Sequence, residues 1–161
     1  MKKILTCIAS ALLVVGVIGT PQATDAQTPL QVIWKTKMKF GSAASSIDGT
    51  GAITINSVNN TRSVTGEAFD FGGNWSRGKF QLVGEPKAFV IVTLPSSFTL
   101  TNNAGTFSIE VTDITMSRTN PIKLSKAGKK TVFIGGKVNI TTNQKARTYK
   151  NGGFIIDADY L

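Results

Sequence analysis

The stretch Gly153-Phe-Ile-Ile-Asp-Ala-Asp-Tyr-Leu161 alternates apolar and polar side chains up to the last residues of the sequence. One parity is apolar throughout: Phe154, Ile156, Ala158 and Tyr160. A period of two predicts a β-strand with one buried face, because successive side chains of a strand point to opposite sides. Such a strand either closes a β-sandwich or ends a subunit whose last strand meets a partner. Both uses indicate a structural or binding role.

The same period, interrupted by turn residues, continues through the rest of the chain. Strands are predicted over residues 31–40, 52–56, 61–71, 79–83, 89–94, 97–101, 106–111, 131–134 and 137–141. Gly72–Gly78 is a predicted loop, and Asn102–Gly105 is a predicted hairpin turn. No run of helical spacing follows residue 27. Short strands rich in Val, Ile, Thr and Phe predict an all-β, antiparallel sandwich or barrel.

The N-terminal residues have the pattern of a secretory signal peptide. Two lysines precede an apolar run from Ile4 to Ile18, and small and polar residues follow it. A run of about 15 residues is shorter than the roughly 20 of a membrane-spanning helix. We expect cleavage after Ala26, with Ala23 as the second choice, so that 1–26 is a signal peptide and 27–161 a single exported domain. The destination is the periplasm, the cell surface or the extracellular space, and no transmembrane segment remains; an uncleaved anchor is the alternative.

Chemistry that depends on cysteine or histidine is excluded from the predicted mature chain. The sequence contains no histidine, and its one cysteine, Cys7, leaves with the signal peptide. Disulfides, thiolate or imidazole metal sites and Ser-His-Asp or Cys-His nucleophiles are therefore impossible. We expect no enzymatic activity, no cofactor and no metal.

One carboxylate pair offers a remote enzymatic alternative, a glycan hydrolase. Asp157 and Asp159 share a face of the last predicted strand, roughly 7 Å apart by strand rise, which is near the spacing of some glycosidases. Outward carboxylates on an alternating strand are more commonly solvated surface residues. We therefore expect no catalytic residue.

The chain is strongly basic, with 18 Lys and Arg against 9 Asp and Glu and a formal net charge of +9. Lys35, Lys37 and Lys39 alternate along the first predicted strand and leave an inward face of Val32, Trp34, Met38 and Phe40. These lysines form either a solvated face that discourages edge-to-edge pairing or a surface for anionic glycan or envelope lipid. Nucleic acid is not expected, because the lysines are not interleaved with aromatic stacking residues.

Two aromatic residues are candidate contact residues. Trp75 lies in the predicted loop, where it either folds over the end of the sandwich or stacks on a sugar or protein partner. Tyr160 is the penultimate residue of the chain, a position typical of subunits that pair by strands with copies of themselves or with other surface subunits.

Several motifs spread over the chain carry a family resemblance. They are Met38–Gly41, Gly49–Ile55, Arg62–Gly66, Phe80–Pro86, Ile91–Ser97 and Phe133–Ile140. On these residues the chain resembles the bacterial secreted family called domain of unknown function 4402. It departs from the family's pattern at Arg147, where a glycine is usual, and at Lys150–Gly153, which is longer than the usual turn.

The resemblance implies an exported, immunoglobulin-like antiparallel β-sandwich, of about 8–10 strands, akin to pilin and adhesin subunits and without a catalytic signature. It also implies structural roles for Gly84 and Gly135–Gly136 at turns or bulges, and for Pro86 and Pro95 at strand ends. The first hypothesis is a non-enzymatic cell-surface or periplasmic protein of structural, adhesin-like or fimbrial type. The alternative is a monomeric basic module that binds anionic glycan or envelope polymer.

Overall fold

A computed structural model describes residues 27–150 and 154–161 of the 161-residue chain. The predicted signal peptide, residues 1–26, and residues 151–153 of the turn expected at Lys150–Gly153 lie outside the described residues. Within them every regular element is a β-strand, and all strand pairs are antiparallel. The predicted all-β, sandwich-like fold is therefore confirmed.

The described residues form thirteen strands rather than the expected eight to ten. They are β1 Gln31–Thr36, β2 Lys39–Ala44, β3 Gly51–Ile55, β4 Arg62–Gly66, β5 Phe69–Ser76, β6 Gly78–Val83, β7 Phe89–Thr93, β8 Phe98–Asn102, β9 Ser108–Met116, β10 Ile122–Lys123, β11 Lys129–Ile140, β12 Tyr149–Lys150 and β13 Asp157–Tyr160. The count differs because two predicted strands are each divided, two strands of two residues, β10 and β12, were not predicted, and two predicted strands merge into β11.

The strands form three sheets around two hydrophobic clusters. The main sheet has the order β1-β6-β11-β9-β8-β12, with β3 paired to β11 and β4 paired to β3. A three-stranded sheet has the order β10-β7-β13, and a two-stranded sheet joins β2 to β5. The first cluster lies between the three-stranded sheet and the β6 half of the main sheet; its buried residues are Phe80, Leu82, Val90, Val92, Ile122, Leu124, Val132 and Ile134. The second cluster has Ile53, Ile109, Val111, Val138 and Ile140 as its buried residues.

Strand β11 runs through both clusters. Its residues Lys129–Ile134 pair with β6, its residues Gly136–Ile140 pair with β3, and β9 pairs along its opposite edge. The sequence predicted two strands here, at 131–134 and 137–141. Gly135 does not end the strand; a Cβ at that position would run into the carbonyl oxygen of Ile55. The glycine is therefore needed for close backbone approach, at a register shift between β11 and β9, and not for a left-handed conformation.

The predicted first strand, 31–40, is wrong as a single element. β1 ends at Thr36 and pairs with β6, whereas β2 begins at Lys39 and pairs with β5 in another sheet. The chain changes sheets because its apolar residues serve different clusters: Val32 packs against the first, Met38 and Phe40 against the second.

The predicted strand 61–71 and the loop after it are also corrected. The chain forms β4 and β5 with a break at Gly66, whose φ is +70°. β5 then continues to Ser76 through Gly72 and Gly73, which both have positive φ, so most of the predicted loop is an irregular strand. Glycines here allow the left-handed backbone that a bulged strand needs, which the sequence pattern does not distinguish from a loop.

The last strand is built into the sandwich, as its alternation predicted. β13 pairs with β7 along Asp157–Tyr160, and Ala158 and Tyr160 pack against the first cluster. The Tyr160 hydroxyl accepts a hydrogen bond from the Glu85 backbone N–H at 2.6 Å and donates one to the Thr28 carbonyl oxygen at 2.6 Å. A Cβ on Gly84 would collide with this hydroxyl, so Gly84 also serves close approach.

Candidate functional site

The second cluster borders a groove of about 1130 Å³. Buried Ile109, Val138 and Ile140 line it, together with the half-buried side chains of Phe98 and Leu100. These residues come from β8, β9 and β11, whose inward faces converge there because strand side chains alternate. The floor of the groove is therefore apolar.

One wall of the groove is β2, and a nearly buried arginine holds it in place. Arg62 Nε donates to the Phe40 carbonyl oxygen at 2.7 Å, and Arg62 Nη2 donates to the Ser42 carbonyl oxygen at 3.3 Å. Arg62 Nη1 lies 2.7 Å from both carboxylate oxygens of Asp70 on β5. The Arg62 side chain is only 5% exposed, so this guanidinium ties β2, β4 and β5 together behind the groove.

The same contacts change the acidity of Asp70. The hydrogen bond from Arg62, followed by one from the Gly72 backbone N–H, lowers the pKa of the Asp70 carboxyl below its usual value, against a smaller opposing effect of desolvation. Asp70 therefore carries its negative charge beside Arg62 at neutral pH.

The opposite wall is the segment 144–150. The Tyr149 hydroxyl donates to the Lys145 carbonyl oxygen at 2.8 Å and accepts a hydrogen bond from Gln144 Nε2 at 2.6 Å. Gln144 Nε2 also lies 3.3 Å from the Ser108 carbonyl oxygen, and β12 pairs with β8. These bonds fold the segment back on itself and attach it to the main sheet, so its basic side chains have a defined place.

Aromatic side chains lie along the groove. The Trp34 ring is 39% exposed, and its centroid lies 5.9 Å from that of Phe80 and 5.8 Å from that of Phe154. Phe71 on β5 also lines the groove and is 69% exposed. The sequence predicted Trp34 as an inward-facing residue; in the structure it packs between the first cluster and the groove and keeps a solvent-accessible face.

The charged side chains along the groove are all basic. They are Lys37, Lys39, Lys145, Arg147 and Lys150, and all five are exposed. No Asp or Glu of the described residues lines the groove. Cations gathered around a concave, low-dielectric surface reinforce one another's field, so the groove carries a positive potential.

The three predicted lysines separate in the structure. Lys37 and Lys39 line the groove, but Lys35 lies at the register shift between Trp34 and Thr36 and does not line it. The bulge and the sheet change after β1 break the alternation that had placed all three on one face.

The two aromatic candidates, Trp75 and Tyr160, are partly covered by other residues of the chain. Trp75 lies within β5, opposite Phe40 of β2, and is half-buried rather than standing in a loop. Tyr160 is half-buried, and both hydrogen bonds of its hydroxyl are made within the chain.

The acidic residues do not form a cluster. Asp157 and Asp159 are exposed on β13, opposite Thr93 and Ile91 of β7. In the described part of the chain no three His, Cys, Asp or Glu side chains come together as a metal site would require. The same residues include no helix long and apolar enough to span a membrane.

Sequence reasoning missed the groove as a site. It noted Lys145, Arg147 and Lys150 only as members of a basic stretch and not as contact residues, and it did not single out Phe71. Their signal was weak: Lys145 and Arg147 belong to a basic stretch, and Arg147 stands where the resemblance leads one to expect glycine. The two walls are about a hundred residues apart in sequence, so no local pattern connects them.

Comparison with protein families adds one match. A family model described as Domain of unknown function (DUF4402) matches residues 30–160. No curated protein and no solved structure matches the chain. The matched segment spans the described strands from β1 to β13, and the chain belongs to the DUF4402 family.

Proposed function

We propose that this protein is a non-enzymatic, exported binding module that captures an anionic component of the cell envelope in the groove. The observation that carries the proposal is the charge of the groove: five basic side chains border it, and no acidic side chain of the described residues does. Such an arrangement attracts anions over a distance and holds them at short range.

Three acidic residues of the described part of the chain do not line the groove and are held by other contacts. Asp70 is bound by Arg62, Asp113 lies 3.8 Å from Lys137 Nζ, and Glu85 accepts a hydrogen bond from the Thr28 backbone N–H. Hydrogen bonding to the Thr28 side chain, followed by that to its backbone N–H, lowers the pKa of the Glu85 carboxyl against a smaller opposing effect of desolvation. Neither of the two ion pairs formed among the described residues involves a cation of the groove, so these cations are available to a ligand.

The test compares anionic with neutral envelope components and uses charge-matched variants. Wild-type protein is titrated with anionic and with neutral vesicles or glycans, at low and at high salt. The double variant Lys37→Glu/Lys39→Glu should weaken binding of the anionic ligand, whereas Lys123→Glu/Lys126→Glu makes the same change in net charge outside the groove. Equal losses in both variants would show that overall charge, and not the groove, is responsible.

Export is part of the proposal and is supported by the signal-peptide pattern of residues 1–26. The measurement is the N-terminal sequence of the protein recovered from its native cell fractions. A start at Gln27 agrees with the proposal, and a protein that keeps residues 1–26 and stays inside the cell contradicts it.

A second candidate function is a structural or adhesin-like subunit that assembles by strand pairing. It is favoured by β13, which ends the three-stranded sheet and pairs with β7 alone among the described strands. The edge strand β1 is less suited to this role, because a register shift at Lys35 and the lysine itself discourage pairing. Filaments in electron micrographs or ladders on unheated gels would support assembly; a strictly monomeric protein would exclude it.

A further inference from the structure

Building on the proposed function, we infer that the ligand of the groove is a single-chain anionic amphiphile, with its hydrocarbon chain on the apolar floor and its charged head group among the basic side chains. The juxtaposition that carries this inference is an aliphatic floor directly beside five cations, in a groove of about 1130 Å³.

The floor favours a hydrocarbon chain over a sugar. Ile53, Ile109 and Val138 are each less than 10% exposed, and their side chains offer no hydrogen-bond donor or acceptor. A glycan pressed against them would lose water from its hydroxyl groups without gaining partners, which costs free energy. A hydrocarbon chain loses nothing of this kind and gains from the apolar area that it covers.

The wall formed by β2 favours a hydrocarbon chain over an inserted protein strand. A strand laid in the groove must find partners for its backbone N–H and C=O groups. The carbonyl oxygens of Phe40 and Ser42 already accept hydrogen bonds from Arg62. This part of the wall therefore offers poor pairing to a second backbone, whereas an amphiphile needs no such ladder.

The basic side chains favour an anionic head group on either side of the bound hydrocarbon chain. Lys39 begins the β2 wall and Lys37 lies two residues before it, whereas Lys145, Arg147 and Lys150 lie on the opposite wall. Arginine in particular matches the geometry of phosphate and carboxylate oxygens, and Arg147 is exposed, with its Nη1 3.1 Å from the carbonyl oxygen of the adjacent Ala146.

Exposed aromatics complete the argument. Phe71 is 69% exposed and Trp34 is 39% exposed, and both line the groove. A bound hydrocarbon chain would cover part of this apolar surface. Phe69, two residues before Phe71 on the same strand, is 61% exposed but does not line the groove, which makes it a matched control.

The experiment titrates the full purified protein with octyl, nonyl and decyl phosphate below their micelle concentrations, by calorimetry and by tryptophan fluorescence. We expect decyl phosphate to bind, with a Kd that tightens by up to about fourfold for each added methylene. Decyl maltoside, which has the same chain without a charge, and glycerol phosphate, which has the charge without the chain, should each bind at least about tenfold more weakly.

The variants distinguish binding in the groove from non-specific binding to other apolar surface. Phe71→Ser should weaken decyl phosphate binding by up to about tenfold, because its covered apolar area is lost, and Phe69→Ser should leave the Kd unchanged. Ala146 is exposed on the wall of the groove, so Ala146→Trp adds bulk there and should also weaken binding. The thermal transition of each variant shows whether it remains folded, and either groove variant alone suffices for the comparison.

The outcomes distinguish this inference from the proposed function beneath it. If a chainless polyanion binds at the groove and alkyl phosphates do not, the amphiphile is overturned and the proposed function stands. If decyl maltoside binds as tightly as decyl phosphate, or if no anion binds, both are overturned. An extended peptide that binds the groove in place of alkyl phosphates also overturns the inference. Tightening with chain length that is lost in Phe71→Ser and retained in Phe69→Ser supports it.

Discussion

Replacing Tyr160 by phenylalanine should destabilise the sandwich at its closing strand. The substitution removes one hydroxyl and two hydrogen bonds of 2.6 Å, one from the Glu85 N–H and one to the Thr28 carbonyl oxygen. At about 0.5–1.5 kcal/mol for each bond, the expected loss is about 1–3 kcal/mol. For a domain of this size that corresponds to a fall in Tm of roughly 4 °C per kcal/mol.

A neighbouring glycine makes the prediction sharper. A Cβ on Gly84 would collide with the Tyr160 hydroxyl, so Gly84→Ala should cost about 1–3 kcal/mol through overpacking. In the double variant the hydroxyl that causes the collision is gone. The loss in Gly84→Ala/Tyr160→Phe should therefore be clearly smaller than the sum of the two single losses, because the two side chains share one space.

Urea unfolding followed by circular dichroism measures all three variants, with a constant m value as the check on two-state behaviour. Asp159→Asn is the control, since Asp159 is exposed on the same strand. The reasoning is refuted if Tyr160→Phe is as stable as Asp159→Asn, or if the losses of Gly84→Ala and Tyr160→Phe simply add.

Three further predictions concern the Arg62–Asp70 ion pair, the buried Phe80 and the exposed residues Asp157 and Asp159. Arg62→Lys should lower the free energy of unfolding, and this destabilisation should be larger at pH 7 than at pH 3. The lowered pKa of Asp70 contributes stability above the usual carboxyl pKa, and this contribution is lost as the pH falls through the lowered pKa. Equal destabilisation at both pH values would contradict the role of Asp70. Phe80→Ala should cost about 3–5 kcal/mol in urea unfolding, because the side chain is fully buried in the first cluster; a loss below about 1 kcal/mol would contradict that packing. Asp157→Asn/Asp159→Asn should change stability by less than about 0.5 kcal/mol and leave ligand binding intact, because both side chains are exposed; a hydrolytic activity that this folded variant loses would instead show a catalytic pair.

Local patterns predicted the strands whose side chains alternate regularly along their length. The hairpin of β8 and β9 follows from alternation on either side of Asn102–Gly105, where Gly105 has a φ of +69°. The closing strand could also be predicted, because apolar side chains such as Ala158 and Tyr160 occur at every second residue. In both cases the period of the side chains is the signal, and it survives without knowledge of the rest of the fold.

The sequence pattern could not predict where a strand breaks or continues when the cause is a contact with residues distant in sequence. The chain leaves the main sheet after Thr36 because Met38 and Phe40 pack on a different cluster, and β11 continues through Gly135 because the Ile55 carbonyl lies against it. Lys35 was misplaced for the same reason, since its bulge depends on pairing with β6.

The sequence identified two of the basic residues of the candidate site but not its shape. The lysines near residue 37 were predicted to form either a solvated face or a surface for an anionic partner, and Lys37 and Lys39 do line the groove. The groove itself requires β2 and the segment 144–150 to face each other across the sheet. That arrangement depends on the topology of the fold, which the sequence pattern of either wall does not reveal.

The path of β11 through both clusters has a consequence for cooperativity. Val132 and Ile134 belong to the first cluster and Val138 and Ile140 to the second, so neither cluster can come apart without disturbing the same strand. The two clusters should therefore melt in a single transition. In hydrogen exchange, the slowest amides should fall along the middle of β11, where strands pair on both edges, and their protection should report global unfolding.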